Sequence, residues 1–301
     1  MPSSSADVLS TVLSSVPPFR GKGWLTNALA QIAARRHRGW GTCSPGNGAT
    51  IRVNLSERIE RLMWGRCYED HVQQCLSALL SDGDVFIDIG AHIGYHAVLA
   101  SSLVGPSGSV FAFEPDPSNF ARLQDHLRPF SWGTALNKAA WSTTDTLLFE
   151  RSSEPGESGW ATLTTVRDLK RGEHIPVGTV SLDDWTAENC VGNVAAIKID
   201  AEGSEVAILQ GAQDVLDRAK PAVIAEANSV LLREAGTSSQ ELVQTLQARG
   251  YELFELQGKR LERLQLAQSP QSFEVLGVHA EKLDATMLKL QRYGIRERHQ
   301  A

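Results

Sequence analysis

A short apolar run, Val85-Phe86-Ile87-Asp88-Ile89, passes without interruption into Gly90-Ala91-His92-Ile93-Gly94. The run is too brief for a buried helix and ends in glycine, so it reads as a buried strand that turns sharply and opens a helix. Gly90 and Gly94 let backbone approach a ligand with no Cβ in the way, and the first N–H groups of the helix are free at that point. The glycines are spaced G-x-x-x-G rather than G-x-G-x-x-G, and an acid, Asp88, precedes them. A carboxylate there repels a pyrophosphate but suits an ammonium group. The fold that surrounds such a turn is written in the residues on either side.

From Asp84 onward strand and helix patterns alternate: strands over 85–89 and 108–113, helices over 95–103 and 117–127. Alternation of this kind predicts βαβ units and a parallel sheet. Asp116 is an N-cap signal, Pro117 fits the first helical position, and Phe120, Leu123 and Leu127 form the buried stripe. A third strand is expected over 134–140 and an extra β segment over 147–150. Residues 151–178 are rich in Gly, Ser and charged side chains and read as a loop or lid, with Trp160 able to cover a substrate. Alternation resumes with a strand over 194–200, a helix over 205–216 and a strand over 221–226. A helix over 239–249 stops at Gly250, and strands over 251–256 and 272–279 suit an antiparallel pair at the end of the sheet.

Before this core, residues 62–80 carry apolar side chains at helical spacing. A helix over 24–36 leads into the basic trio Arg35, Arg36 and Arg38, which reads as a solvated helix end. The expected organisation is an N-terminal, partly helical accessory region over 1–75, a core domain over 76–280 and a peripheral helix over 281–301. The fold class is α/β, with a mostly parallel sheet.

The second strand ends at Glu114, where a carboxylate at the carboxyl end of a parallel strand can accept hydrogen bonds from both hydroxyls of a ribose. An ammonium-compatible acid, a glycine turn and a ribose-compatible acid on adjacent strand ends suit a cofactor that is both nucleoside and amino acid. S-adenosylmethionine is such a molecule. The net charge of -6 and pI near 5.8 give no general reason to seek a polyanion, so a nucleic-acid partner is not expected. Cys43, Cys67, Cys75 and Cys190 form no Cys-x-x-Cys pair, so neither a zinc site nor a disulfide framework is suggested. With no stretch near membrane-span length, a soluble, cytoplasmic protein is expected.

Over residues 63–278 the chain resembles the FkbM family of class I methyltransferases. The resemblance is carried by Tyr68-Glu69, by Gly83-Asp84-Val85-Phe86-Ile87-Asp88-Ile89-Gly90-Ala91-His92-Ile93-Gly94-Tyr95, by Phe113-Glu114-Pro115 and by Ala140-Trp141-Ser142. It continues through Ser181-Leu182-Asp183-Asp184 and Ile197-Lys198-Ile199-Asp200-Ala201-Glu202-Gly203-Ser204-Glu205. The chain has His92 where the family commonly has Asn. The resemblance implies a seven-stranded Rossmann-like sheet with an antiparallel final strand. It also implies S-adenosylmethionine as donor, with S-adenosylhomocysteine as product, and a hydroxyl acceptor on a glycan or natural product. Asp88, Gly90, Ala91, His92, Gly94, Tyr95, Glu114, Pro115, Ala140 and Asp200 are the cofactor-site candidates.

Asp200 follows a central strand, so it should face the transfer pocket, and Lys198 shares its face by strand alternation and can pair with it. His92 and His96, near the turn, are of the right type for a base. Asp200, Lys198 and His96 are therefore the catalytic candidates. Asp200, Glu226 and Asn228, at two neighbouring strand ends, form a candidate oxygen set for magnesium, which would lower the pKa of an acceptor hydroxyl. Two rival readings are a nicotinamide dehydrogenase, against which the missing G-x-G-x-x-G argues, and a non-catalytic cofactor-binding protein of the same fold.

Overall fold

The computed structural model describes residues 22–36, 39–46, 48–152, 161–164 and 172–298. The chain begins with helix α1 (Lys22–Arg36), a hairpin of β1 (Trp40–Gly46) and β2 (Ala49–Asn54), then α2 (Arg58–Trp64) and α3 (Asp70–Leu79). The alternating core follows with β3 (Val85–Ile89), α4 (Tyr95–Val104), β4 (Ser109–Phe113), α5 (Pro117–Leu127) and β5 (Gly133–Leu136). Next come β6 (Ala139–Ala140), β7 (Thr146–Ser152), β8 (Ala161–Thr164), β9 (Gly172–Val180) and α6 (Leu182–Glu188). The second half has β10 (Val194–Ile199), α7 (Glu205–Gln210), α8 (Gln213–Ala219), β11 (Ala222–Asn228), α9 (Ser229–Glu234) and α10 (Ser239–Gln247). It closes with β12 (Tyr251–Gln257), β13 (Arg260–Arg263), β14 (Ser272–His279), α11 (Leu283–Arg292) and β15 (Arg296–Glu297).

The central sheet has the order β15-β13-β12-β14-β11-β10-β3-β4-β5. Strands β11, β10, β3, β4 and β5 are mutually parallel, and β14 runs antiparallel between β11 and β12. This is the expected class I methyltransferase sheet, mostly parallel with an antiparallel final strand, extended at one edge by β13 and β15. Strand β14, which follows β12 and β13 in sequence, is inserted beside β11 rather than added outside β12. The central strands are apolar almost throughout because helices cover both faces of a parallel sheet. Phe86 and Ala196 belong to the core on one face, whereas Ile87, Ile89, Ile197 and Ile199 belong to the other. Asp88 and Lys198, partners in register, break the apolar pattern of the first face.

Asp116 caps α5 as its position predicts, accepting from the backbone N–H groups of Ser118 and Asn119. Several other expectations change. Residues 62–80 are two helices, not one. The chain breaks between α2 and α3 because Gly65 packs where any Cβ would overlap Thr26, and Arg66 and Glu69 take left-handed φ values of 52° and 41°. Residues 205–216 are likewise split, into α7 and α8, since Gly211 lies against the carbonyl of Trp141 with no room for a side chain. The third strand stops at Leu136, and Ala139–Ala140 instead pairs with β9 in a second sheet of order β6-β9-β7-β8. Much of the expected 151–178 loop is therefore strand, with β9 paired along the whole of β7. Residues 153–160 and 165–171, Trp160 among them, lie outside the described residues, as does Arg38.

The β1–β2 hairpin was not expected from the sequence. It packs into the same apolar core as β3 and α4 through Ile51, Val53 and Leu55. An ion pair fixes it further: fully buried Glu60 receives two bonds from Arg122 of α5, at 2.5 and 2.7 Å, and accepts from the Asn54 N–H. No helix among the described residues is long and apolar enough to cross a membrane.

Candidate active site

In the central sheet the chain moves outward in one direction after β3 and in the other after β10, so these two neighbours flank the point where topology reverses. Ligands of such sheets bind in the crevice at the carboxyl ends of the strands there. Gly90 follows β3 with φ 74°, and a Cβ on it would overlap the carbonyl oxygen of Asp200, which follows β10. The Gly90 and Ala91 N–H groups both donate to the Phe113 carbonyl, at 3.1 and 3.0 Å. Gly94, φ 91°, brings the turn against Leu123 of α5, where a Cβ would sit 2.7 Å from Cδ1. Close backbone approach is thus the reason for both glycines.

A cavity opens over this turn, with a volume of about 1040 Å³ including its mouth. Gly90, His92, Glu114, Pro115 and Ala140 line one part of it; Asp200, Glu202, Ser204 and Glu226 line the other; Tyr68, Glu69 and Phe149 come from outside the sheet. Glu114 is 5% exposed, and its two carboxylate oxygens accept from the backbone N–H groups of His92 (2.8 Å) and Asp116 (2.9 Å). Burial pushes its pKa up to about 8, against the pull of those two bonds. The His92 ring forms part of the wall, and neither nitrogen has a hydrogen-bond partner among the described residues. Burial, first of all, depresses its pKa.

Other candidates lie elsewhere. Asp88 does not line the cavity: it is 1% exposed on the opposite face of β3 from Ile89, and burial raises it to about 6 while Lys198 opposes the rise. Ala91, Gly94 and Tyr95 shape the turn from behind, the Tyr95 hydroxyl meeting Gln73 Oε1 at 3.3 Å. His96 is also behind the wall, 4% exposed, with Nε2 at 3.7 Å from Glu69 Oε2. Burial, aided by the Lys198 charge, holds it well below the ordinary histidine range.

Lys198 and Asp200 are brought together as alternation predicts, Nζ to Oδ2 at 3.1 Å. Burial pulls the Lys198 ammonium down, but Asp200, Glu69 and Asp88 outweigh it, so the lysine stays charged. Glu205 accepts from the Ala201 and Gly203 N–H groups, which fixes the loop that carries Asp200 and Glu202.

The expected oxygen set needs a correction. Asn228 is the N-cap of α9: its Oδ1 accepts from the N–H groups of Val230 and Leu231, so it is committed to the helix. The group among the described residues with metal-compatible spacing is Asp200, Glu202 and Glu226, with oxygens within 4.8 Å of one another. Burial and the charge of Asp200 raise both Glu202 and Glu226. Glu202 sits at φ 49° next to Gly203 at φ 101°, a turn that aims its side chain back toward Glu226. Sequence reading also gave no role to Tyr68, Glu69 or Phe149. The Tyr68-Glu69 pair was visible as a motif, whereas Phe149 was signalled only as part of the extra β segment expected over 147–150.

Residues 88–253, just over half of the chain, match the model of the methyltransferase FkbM domain. The chain is 28% identical over 172 residues to the hexuronic acid methyltransferase AglP of Haloferax volcanii, spanning 57% of this chain and 67% of that protein. It is 26% identical over 159 residues to the 2-O-methyltransferase NoeI of Sinorhizobium fredii, spanning 49% and 65%. Among solved structures, a methyltransferase FkbM from Methylobacillus flagellatus aligns with a TM-score of 0.44 and 18% identity, over 85% of this chain and 60% of that one. The chain therefore spans about two thirds of the curated relatives it matches.

Proposed function

Because the chain belongs to the FkbM methyltransferase domain family, we propose that it methylates a hydroxyl of a glycan or small natural product, using S-adenosylmethionine. One observation carries the reading: a single cavity joins the glycine turn and Glu114 to the acidic strand ends of Asp200 and Glu226. The names of AglP and NoeI, one a sugar acid and the other an oxygen position, favour a sugar hydroxyl. Carboxylates suit such an acceptor because they accept hydrogen bonds from several hydroxyls at once.

S-adenosylmethionine, when bound, supplies a methyl group already activated by its sulfonium charge. Glu114 is the ribose contact in this reading, with lone pairs left over after its two backbone bonds. Gly90 lets the cofactor lie against bare backbone beside His92; Ala91, Gly94 and Tyr95 shape the turn from behind, and Pro115 and Ala140 border the nucleoside. Asp200 contacts the acceptor oxygen and Lys198 holds it in orientation. Phe149 covers the site and excludes water, so positioning supplies much of the rate.

A second reading places magnesium across Asp200, Glu202 and Glu226. Three crowded carboxylates with one lysine as counter-charge favour a small hard cation. The free cysteines Cys43, Cys67, Cys75 and Cys190 suit a reducing compartment such as the cytoplasm. The test is calorimetric binding of S-adenosylhomocysteine, followed by transfer of labelled methyl to a panel of methyl glycosides, with and without chelator. Binding with transfer supports the reading; binding without any turnover on hydroxyl acceptors favours a cofactor-binding role; NADH binding in its place favours a dehydrogenase. Activity abolished by chelation and restored by magnesium selects the metal reading.

A further inference from the structure

Behind the acidic strand ends lies a second polar layer that the assigned roles leave unused. Glu69 comes from the junction of α2 and α3, outside the residues matched by the family model. The junction holds it at φ 41°, a conformation that is strained for a non-glycine residue and persists only where the surroundings enforce it. The outcome is that Glu69 lines the cavity beside Tyr68 and Asp200, with its side chain 18% exposed.

Its Oε2 is shielded from solvent and has no hydrogen-bond partner among the described residues, and the same holds for Nε2 of His96. These two orphaned atoms face each other at 3.7 Å. Burial without a partner is unfavourable for each. A single proton on Glu69 would satisfy both: the carboxyl O–H donates and His96 Nε2 accepts, given the tautomer with its proton on Nδ1. His96 cannot itself be the terminal base, since burial and Lys198 hold its pKa well below the ordinary range.

We propose that Glu69 is the proton acceptor for the hydroxyl being methylated, through the carboxylate oxygen that is not shielded, with His96 as the positioning residue toward which the protonated carboxyl group then turns its O–H. The inference rests on the hydroxyl-methylation reading above. It divides the work between two carboxylates. Asp200, bound to Lys198 at 3.1 Å, is a charge-paired group that orients the acceptor, while Glu69 is free to take a proton. In the step, the acceptor oxygen forms its bond to the methyl carbon as the carbon–sulfur bond breaks. The electron pair of that bond leaves with the neutral thioether, and the hydroxyl proton passes to Glu69, which later releases it to solvent.

The charges around Glu69 agree with this task. Burial raises its pKa to about 7, with Lys198 pulling it down, Asp200 and Glu226 pushing it up and the Tyr68 hydroxyl bonding to it. Glu274 on β14 also faces this layer and is itself raised. A base works best when its pKa is near the working pH.

The experiment compares the full chain with Glu69→Gln, Glu69→Asp and His96→Leu. With labelled donor and methyl glycosides as probe acceptors, Glu69→Gln should lower kcat by about 10²-fold or more, leave S-adenosylhomocysteine affinity within about threefold, and flatten the acid limb of the pH profile; Glu69→Asp should recover part of kcat. His96→Leu should shift that limb rather than abolish turnover. Wild-type kcat in Glu69→Gln overturns the proposal. A parallel infrared titration of the S-adenosylhomocysteine complex should show that one of the carboxylic-acid bands titrating near neutrality is missing from Glu69→Gln. If the wild type binds S-adenosylhomocysteine but methylates no glycoside, the sugar reading fails, and the infrared result then stands alone: no band lost in Glu69→Gln removes Glu69 as base.

Discussion

Glu114 is the point at which fold and cofactor recognition share the same atoms, so its substitution should be felt in both. In Glu114→Gln the side chain keeps its length, but one oxygen becomes an NH₂ group. Whichever oxygen is replaced, a donor then faces a donor: the His92 N–H now held at 2.8 Å or the Asp116 N–H at 2.9 Å. One buried N–H left without an acceptor costs about 1–3 kcal/mol of stability. Above the raised Glu114 pKa of about 8, the ribose loses at least one charge-assisted bond, worth about 1.5–3 kcal/mol. At 1.4 kcal/mol per decade, affinity for S-adenosylhomocysteine should fall by about ten- to a hundredfold. Urea unfolding measures the first effect and titration calorimetry the second. A folded Glu114→Gln with wild-type affinity would refute the placement of the ribose. A loss of stability with unchanged affinity would leave Glu114 as a purely structural clamp on the glycine turn.

Gly90→Ala should prevent cofactor binding altogether or destabilise the chain by about 3 kcal/mol or more, because left-handed strain adds to an overlap with the Asp200 carbonyl; wild-type calorimetry in that variant would contradict the close approach. Arg122→Ala should cost about 3–5 kcal/mol by leaving Glu60 as a buried, unpaired charge, and replacing both partners by apolar residues should recover most of it in urea unfolding; a loss below about 1 kcal/mol would show that the hairpin is held by its apolar contacts alone. His126 joins the hairpin to the cofactor turn, accepting from the Arg52 N–H through Nε2 and meeting the Ile93 carbonyl through Nδ1. Burial lowers its pKa below 6.5, so its contribution is complete above that value and is lost as pH falls toward the folded-state pKa. The stability gap between wild type and His126→Gln should therefore narrow from pH 8 to pH 5, and a constant gap would remove His126 as the source of pH dependence.

What the sequence made legible was local. Asp116 and Pro117 announce a helix start through bonds made within three residues, and the glycine turn is readable because a strand, a tight turn and a helix are adjacent in the chain. The pairing of Lys198 with Asp200 followed from period-two alternation alone. Failures arose where distant packing decided the outcome. Nothing near Gly65 or Gly211 says that another segment will occupy the space of their missing side chains, and these two contacts divide what the apolar pattern presents as continuous helices. Asn228 illustrates the competition most clearly: its position at a strand end suits a ligand, yet the next residues begin a helix whose free N–H groups claim the same oxygen. A metal ligand must compete against that cap, worth about 1 kcal/mol, whereas the Glu202 side chain is brought by a left-handed turn within 4.8 Å of the Asp200 and Glu226 oxygens. The same logic explains Glu69. Its environment is built by three strands, a helix and a strained junction far apart in sequence, so its chemistry exists only once the N-terminal segment has closed over the sheet.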